Sequence, residues 1–322
     1  MKAKVFILIL FLLSIANVYA EEVLNRGYIV SGAQKIPGTI SVYDLSSGER
    51  KQQPVANLMH GGPIGISKVN NTKLLLGVGH HLDRWIQLID TVSWQAEKIV
   101  RGQQPVALKG HNKFLFISER KQDGSAYLSI ADMDKSPVSV RQIYEIDNYM
   151  HLYMYLQVSK DKVIASGSKG DRYNAYEIDI NTLQYQPSPI GECTPYIWFE
   201  SQEQLLCWEG EVKYQQFLYF IRQRATKNPF FLTKLDGSDR ELWNDDHLPM
   251  DNSGAEYESE FPISYSPEND ILFVARLPKF IGKAHVLYGY DMKSGKQEEL
   301  LSTTAHPYDL LWIKSVDLNL NQ

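Results

Sequence analysis

Short apolar runs separated by polar turns recur along the chain, and no long stretch shows helical periodicity. The pattern is clearest in residues 261–301, which read FPISYSPENDILFVARLPKFIGKAHVLYGYDMKSGKQEELL. Four apolar runs in this stretch are joined by two tight polar turns and one longer polar segment. Such runs of four to eight residues, bounded by Ser, Pro, Asp and Gly, predict β-strands joined by hairpins. The stretch therefore predicts one four-stranded antiparallel sheet, the size of one propeller blade.

An Asp that follows an apolar run marks the same place in each copy of this unit, at the turn between the third and fourth strands. An Asp side chain accepts hydrogen bonds from the backbone N–H groups that follow it in a turn. Successive marks are 46, 42, 47, 57 and 55 residues apart. A blade needs roughly 40 residues, so the two longer intervals indicate insertions within blades. The six marks are Asp44, Asp90, Asp132, Asp179, Asp236 and Asp291.

The predicted fold is therefore all-β, a six-bladed β-propeller of four-stranded antiparallel blades, with seven blades as the alternative. No linker or change in composition divides residues 21–322, which predicts a single domain. Residues 28–30 have the pattern of a second strand, and residues 307–316 that of a first strand. The N- and C-terminal strands are thus expected to share a blade and close the ring, which removes two exposed sheet edges.

The turn after the first strand of the 261–301 unit carries a resemblance to a known family. Residues 265–275 read YSPENDILFVA. This segment resembles the aromatic-Ser-Pro-Asp-Gly-x-x-Ile-Ala-Phe repeat of TolB-type propellers, a group of six-bladed extracytoplasmic domains. One blade matches well, whereas blades two to five keep the turn positions and lose the Ser-Pro pair and the Gly. The resemblance implies the fold, and it carries over no binding partner.

The first 20 residues have the pattern of a secretory signal peptide. Lys2 and Lys4 precede an apolar run at 5–13, and Val18 and Ala20 occupy the positions that signal peptidase reads. That run is too short to cross a bilayer as an ordinary transmembrane helix. We expect a mature chain of residues 21–322, periplasmic or secreted, with no membrane span after cleavage.

Charge and cysteine content narrow the choice of partners and compartment. The formal net charge of −5 becomes −7 when the two lysines of the signal peptide are removed. An acidic chain without a Lys/Arg block does not fit a nucleic-acid partner, which requires a basic face. Cys193 and Cys207 flank the turn at 201–202, so adjacent antiparallel strands would bring them within reach of a disulfide. A register shift of one or two residues would separate them.

The unusual residues concentrate on one predicted face. We call it the upper face: it carries the connections from second to third strands and from each blade to the next, and the lower face carries the other two sets of turns. Long irregular loops on a rigid scaffold are where binding residues concentrate. The predicted upper-face loops are 79–85, 119–125, 168–174, 210–228, 276–284 and 244–260. The predicted binding residues are His80, His81, Asp83, Arg84, Arg120, Arg172, Arg222 and Arg276.

A divalent metal ion is a second prediction for the upper face. His60, His151 and His306 each precede a predicted first strand, and equivalent positions around a pseudo-sixfold axis converge on the channel mouth. The acidic 244–260 connection adds Asp245, Asp246 and His247 as candidate ligands. Three sites on a six-bladed ring can also be too far apart to share an ion. In that interpretation the histidines are solvated and 244–260 is a solvated acidic loop.

No catalytic signature occurs in the sequence: a nucleophile elbow, a His-Glu-x-x-His motif, a phosphate-binding Gly loop and a dinucleotide fingerprint are all missing. This favours a non-catalytic propeller that uses loops 79–85, 210–228 and 244–260 to bind a protein or envelope component. The alternative hypothesis is a metal-assisted hydrolase or lyase at the channel mouth.

Overall fold

The structure of the chain is a computed structural model, and its regular secondary structure consists of β-strands. It describes residues 27–31, 36–44, 47, 49–80, 83–118, 126–146, 155–169, 172–208, 230–243, 257–266, 270–278, 285–295, 297–303 and 310–314. These residues form six four-stranded antiparallel sheets and contain no helix. Consequently, within these ranges, no helix is long and apolar enough to cross a membrane.

The strands are numbered in chain order. They are β1 (Gly27–Ser31), β2 (Thr39–Asp44), β3 (Arg50–Pro54), β4 (Gly62–Asn70), β5 (Lys73–His80), β6 (Asp83–Asp90), β7 (Gln95–Arg101), β8 (Gln103–Ala107), β9 (Lys113–Ser118), β10 (Ala126–Asp132), β11 (Ser139–Ile146), β12 (Tyr155–Gln157), β13 (Lys162–Lys169), β14 (Arg172–Asp179), β15 (Tyr185–Glu192), β16 (Thr194–Phe199), β17 (Gln204–Trp208), β18 (Phe230–Thr233), β19 (Glu241–Leu242), β20 (Tyr257–Ser266), β21 (Ile271–Pro278), β22 (His285–Asp291), β23 (Gln297–Thr303) and β24 (Leu310–Lys314).

Six blades follow from the pairing, so the six-bladed prediction is confirmed and the seven-bladed alternative is wrong. Blade 1 has the order β24-β1-β2-β3, and blades 2 to 6 each contain four consecutive strands from β4 to β23. In blade 1 the C-terminal strand pairs with the N-terminal strand, with Tyr28 opposite Ile313 and Val30 opposite Leu311. The predicted closure of the ring by the two terminal strands is therefore confirmed.

The turns marked by Asp form as the sequence predicts. Asp90 Oδ1 accepts from the backbone N–H groups of Val92 at 3.0 Å and Ser93 at 2.8 Å. Asp179 Oδ1 accepts from Asn181 at 2.9 Å and Thr182 at 2.7 Å in the same way. The remaining marks, Asp44, Asp132, Asp236 and Asp291, also accept from following backbone N–H groups. The repeat thus encodes its turns through local hydrogen bonds.

Apolar side chains on both faces of each sheet hold the blades together. On β5, Leu74, Leu76 and Val78 pack in one cluster with Ile40 and Val42 of blade 1. Leu75, which lies between Leu74 and Leu76, packs on the other side of the sheet with Phe114 and Phe116 of blade 3. Because side chains alternate along a strand, even-numbered positions of β5 face blade 1 and odd-numbered positions face blade 3.

Proline shapes the inner strands that line the channel. Pro63, Pro105, Pro195 and Pro262 lie in the first strands of blades 2, 3, 5 and 6, at or just before a shift of register against the second strand. Proline has no N–H to donate to the ladder, so it is confined to edges, strand starts and bulges. Four of the inner strands therefore carry a register shift beside a proline.

Candidate functional site

The upper face is less uniformly elaborated than the sequence predicts. In blade 2 the β5–β6 ladder continues to the pair His80 and Asp83, and in blade 4 the β13–β14 ladder continues to the pair Lys169 and Arg172. The predicted long loops 79–85 and 168–174 are therefore wrong: each is a tight hairpin. The polar residues in these two segments resemble those of loops. The backbone pairing nevertheless continues through them to the hairpin.

The other predicted loops are shorter than expected or fall on undescribed residues. Arg276 lies within β21 rather than in a loop, so the 276–284 loop starts only after Pro278. Arg172 likewise begins β14, and the last part of the 244–260 connection, from Tyr257, belongs to β20. Of the residues predicted to bind a partner or a metal ion, those outside the described ranges are His81, Arg120, His151, Arg222, Asp245, Asp246, His247 and His306.

The longest upper-face connections flank the third and fourth strands of blade 5. Residues 209–229 separate β17 from β18, and residues 243–256 separate β19 from β20. By contrast, residues 81–82 and 170–171 are all that separate the corresponding strands of blades 2 and 4. Elaboration is thus concentrated on one sector of the ring, which we call the blade 5 sector and define as 209–229 with 243–256.

A disulfide fixes the base of this sector. Cys193 and Cys207 are bonded, with Cα atoms 5.3 Å apart. Cys207 lies opposite Pro195 in the β16–β17 ladder, two residues before the 209–229 connection begins. Both cysteines are buried, in a cluster with Leu205 and Phe231. The start of the inner strand is therefore tied to the end of the second strand at the point from which the chain leaves the sheet.

Buried aromatic residues hold the points where the chain leaves and re-enters the sheet. Trp208 and Phe230, on either side of 209–229, are each 3% exposed. The Phe230 ring lies edge-on to Tyr196, with centroids 5.1 Å apart. The backbone N–H of Trp243 donates to the carbonyl of Phe230 at 2.9 Å, which anchors the second connection beside the first. The sequence pattern did not single out these residues, although their position at the boundaries of an insertion was an available signal.

Thr194 adds a polar group to this base. It lies opposite Trp208 in the β16–β17 ladder and its side chain is fully buried. Among the described residues, no group forms a hydrogen bond with its Oγ1 atom. Buried hydroxyls are normally bonded to protein or water, so this Oγ1 is a buried polar atom that the described part of the chain leaves without a hydrogen bond.

The upper corner of blade 2 carries the predicted residues Asp83 and Arg84, which lie on opposite sides of the sheet. Arg84 Nη1 donates to Gln103 Oε1 of blade 3. On the other side, Trp85 Nε1 donates to Asp83 Oδ1 at 2.9 Å. Arg101 lies 3.9 Å from the same carboxylate, and its guanidinium carbon is 5.2 Å from the Trp85 ring centroid. This corner therefore combines an exposed carboxylate with an indole flanked by a cation.

The histidines predicted to share a metal ion are only partly described. His60 is exposed in the connection between β3 and β4, and the other two members of the channel-mouth set are outside the described ranges. Within those ranges no group of three His, Cys, Asp or Glu side chains could hold a metal ion. The channel-mouth metal site stays a prediction.

Comparison with solved structures places this fold among known propellers. TolB from Acinetobacter baumannii matches with a TM-score of 0.59 and 11% identity, over 89% of this chain and 66% of that chain. A putative TolB from Agrobacterium tumefaciens gives 0.53 and 12%, over 89% and 96%. A chain of a nidogen–laminin complex gives 0.54 and 10%, over 90% and 99%. This chain thus spans about two thirds of the length of the first.

These similarities confirm the TolB-type propeller fold that the 265–275 segment suggested. At such low identity they show the fold alone. No protein-family model matches the chain, and no curated protein matches its sequence.

Proposed function

We propose that this protein is an extracytoplasmic binding or scaffold propeller that engages a protein or cell-envelope component through its upper face. The observation that carries the proposal is the concentration of long connections in the blade 5 sector, on a base fixed by a disulfide and buried aromatic residues. A rigid base lowers the entropy lost when a loop is ordered by a partner.

The similarity to the nidogen–laminin complex supports the class of partner. One chain of that complex shares the fold of this chain over nearly its whole length, and the complex contains a second protein. A propeller scaffold of this size is therefore compatible with binding a protein. The identity of the partner does not follow from the fold.

The cysteine pair and the first 20 residues support an extracytoplasmic location. Disulfides persist in oxidising compartments and are rare in the cytosol, and Cys193 and Cys207 are bonded here. We expect mass spectrometry of the protein from its native cells to find a mature chain that begins at Glu21 with both cysteines oxidised. An unprocessed chain with two free thiols would contradict the proposed location.

Site-specific photo-crosslinking in native cells tests the proposed binding face. A photo-reactive amino acid is placed at Tyr214 or Tyr219 in the blade 5 sector, and in other variants at Val92, Lys160 or Asp239 in the lower-face turns. If the blade 5 sector binds a partner, adducts of one size should form from the first pair and not from the second group.

The lower-face positions are the matched control because they are exposed on the same molecule. Asp239 is the closest match, since it belongs to blade 5 itself. Adducts of the same size from both faces would contradict the proposed binding face. A failure of the upper-face positions to form any adduct in native cells would contradict the binding role.

A further inference from the structure

The turn between β4 and β5, on the lower face of blade 2, carries an acceptor motif for N-linked sugars. Residues 70–72 read NNT. The acceptor motif is Asn-x-Ser/Thr, with any residue except Pro in the middle, so Asn70 is the acceptor and Thr72 supplies the hydroxyl. No other Asn in the sequence is followed two residues later by Ser or Thr. The motif is therefore a single candidate site for modification.

The hairpin presents the whole motif to solvent. Asn70 is the last residue of β4 and pairs with Lys73, the first residue of β5, so Asn71 and Thr72 form the turn between them. Asn70, Asn71 and Thr72 are all exposed. A sugar chain is bulky and can be carried only at the surface of a folded protein. The acceptor thus lies where a sugar fits without displacing any part of the described structure.

The acceptor amide and the hydroxyl of the motif are in direct contact. Asn70 Oδ1 accepts from the backbone N–H of Thr72 at 2.9 Å and from the Thr72 hydroxyl at 3.2 Å. A backbone N–H can only donate, so the amide atom that it contacts must be the oxygen. The amide oxygen therefore faces the turn, and the nitrogen that would receive the sugar lies on the side away from it.

This contact favours the chemistry that the amide must undergo. An amide nitrogen is a weak nucleophile, because its lone pair is delocalised into the carbonyl group. Donors placed on the oxygen stabilise the negative charge that the amide gains when the nitrogen loses a proton. Asn70 Oδ1 has two such donors, both from Thr72. A side chain of the same shape without a hydroxyl, such as Val, would supply only the backbone donor.

The neighbouring turn of blade 2 holds the motif in place and provides an apolar surface beside it. The backbone N–H of Thr91 donates to the carbonyl of Thr72 at 2.8 Å. Val92, the next residue along the chain from Thr91, is 45% exposed, so a sugar on this hairpin has an exposed apolar side chain close by. The hairpin belongs to the lower face, so a sugar there leaves the blade 5 sector on the upper face free for a partner.

We propose that Asn70 is an N-glycosylation site, with an oligosaccharide linked to a lipid pyrophosphate as the sugar donor. In this transfer Asn70 Nδ2 forms a bond to C1 of the first sugar, and the bond from C1 to the pyrophosphate oxygen breaks. The lipid pyrophosphate leaves, and the amide proton passes to a base of the transferase. The proposal rests on the proposed extracytoplasmic location, because the acceptor motif is used in secreted proteins.

Mass spectrometry of the full protein from its native cells tests the site. Chymotrypsin is the protease to use, because trypsin would cut on both sides of the motif, at Lys68 and Lys73. We expect a peptide with a sugar on Asn70 and none on Asn71, and peptide-N-glycosidase should remove the sugar and convert Asn70 to Asp. Asn70→Gln should lose the modification. Asn71→Gln is the matched control and should keep it, since the acceptor and the hydroxyl are both unchanged.

A second pair of variants tests the hydroxyl and leaves Asn70 in place. Thr72→Val should lose the sugar and Thr72→Ser should keep it, and circular dichroism checks that each variant is folded. An unmodified Asn70 in a chain that begins at Glu21 would overturn the site and leave the proposed location intact. An unprocessed and unmodified chain would contradict both. A sugar that persists in folded Asn70→Gln or Thr72→Val would also overturn the assignment.

Discussion

The two ends of the blades are built on different principles. At the lower face each blade repeats the same Asp turn, and a second bond links the two turns of a blade. The backbone N–H of Thr91 donates to the carbonyl of Thr72 at 2.8 Å. In the same way, the backbone N–H of Ile180 donates to the carbonyl of Asp161 at 2.9 Å. At the upper face the described blades differ from one another: blade 2 has a tight hairpin, whereas blade 5 has a disulfide and the longest insertions.

This difference separates what specifies the fold from what is available for function. The Asp turns depend on hydrogen bonds between residues close in sequence, so the signal for each turn is local. The upper connections depend on contacts between distant residues, such as the packing of Gly61 on Gly79. We therefore expect substitutions at the upper face to change binding and stability together, and substitutions at the lower face to change stability alone.

Removal of the disulfide should have the largest effect. Cys193 and Cys207 are 14 residues apart in sequence, and closing a loop of about that length stabilises a protein by about 3 kcal/mol in the chain-entropy model. The free energy of unfolding of the double variant Cys193→Ala/Cys207→Ala should be lower than that of the wild type by about this amount, so the variant should unfold at a lower urea concentration. Upper-face crosslinking should fall as well, because the base of the blade 5 sector is no longer fixed.

A reducing agent supplies the control for this prediction. Dithiothreitol should lower the urea midpoint of the wild type and leave that of the double variant unchanged. Equal stability of the two proteins under oxidising conditions would show that the cross-link does not support this sector.

An added methyl group at the upper corner of blade 2 should have the next largest effect. In Gly61→Ala the new Cβ would lie 2.7 Å from the Cα of Gly79, so one backbone must move. Overpacking of this kind costs about 2 kcal/mol. Gly62→Ala is the matched control, because the nearest atom to its Cβ would be 3.9 Å away. Urea denaturation measures the free energy of unfolding of both variants. Equal decreases would show that the contact between Gly61 and Gly79 does not restrain this corner.

The fold could be predicted from sequence because its signals are local. The six Asp turns and the terminal closure depend on short patterns that survive even where the Ser-Pro pair is lost. The upper face could not be predicted in the same way, because polar residues such as His and Asp occur both in loops and at the ends of strands, where His80 and Asp83 lie. Only the register separates the two cases. The same holds for His60, whose position depends on Gln87, which is distant in sequence.

A hydroxyl deletion at the lower face tests the other end of the comparison. The Tyr265 hydroxyl donates to Asp270 Oδ1 at 2.5 Å, and Asp270 is 7% exposed. Tyr265→Phe leaves that carboxylate without this donor, which should cost about 1–2 kcal/mol with no loss of upper-face crosslinking. Burial and the Asp270 bond raise the pKa of Tyr265 to about 12. Burial also raises the pKa values of Tyr155 and Tyr290, so absorbance titration of Tyr265→Phe should show one late-ionising tyrosine fewer than that of the wild type. Reduced crosslinking in a folded Tyr265→Phe protein would show that the two ends are coupled.

The smallest expected effect is a pH dependence that comes from the Asp turns. The pKa of Asp90 is lowered, chiefly by the hydrogen bond from the Ser93 backbone, and that of Asp179 is lowered, chiefly by the bond from the Thr182 backbone. A carboxyl whose pKa is lower in the folded state stabilises the protein above its unfolded pKa, about 4, and this stabilisation is lost as the pH falls through the folded value. Urea midpoints should therefore decrease below about pH 4, less steeply in Asp90→Asn/Asp179→Asn, because an Asn oxygen keeps the turn bonds without a proton to gain. Glu97→Gln, which removes an exposed carboxyl from β7 without touching a turn, is the control. If its pH profile flattened as much as that of the double variant, the acid sensitivity would reflect overall charge, and the turns of the lower face would not be its source.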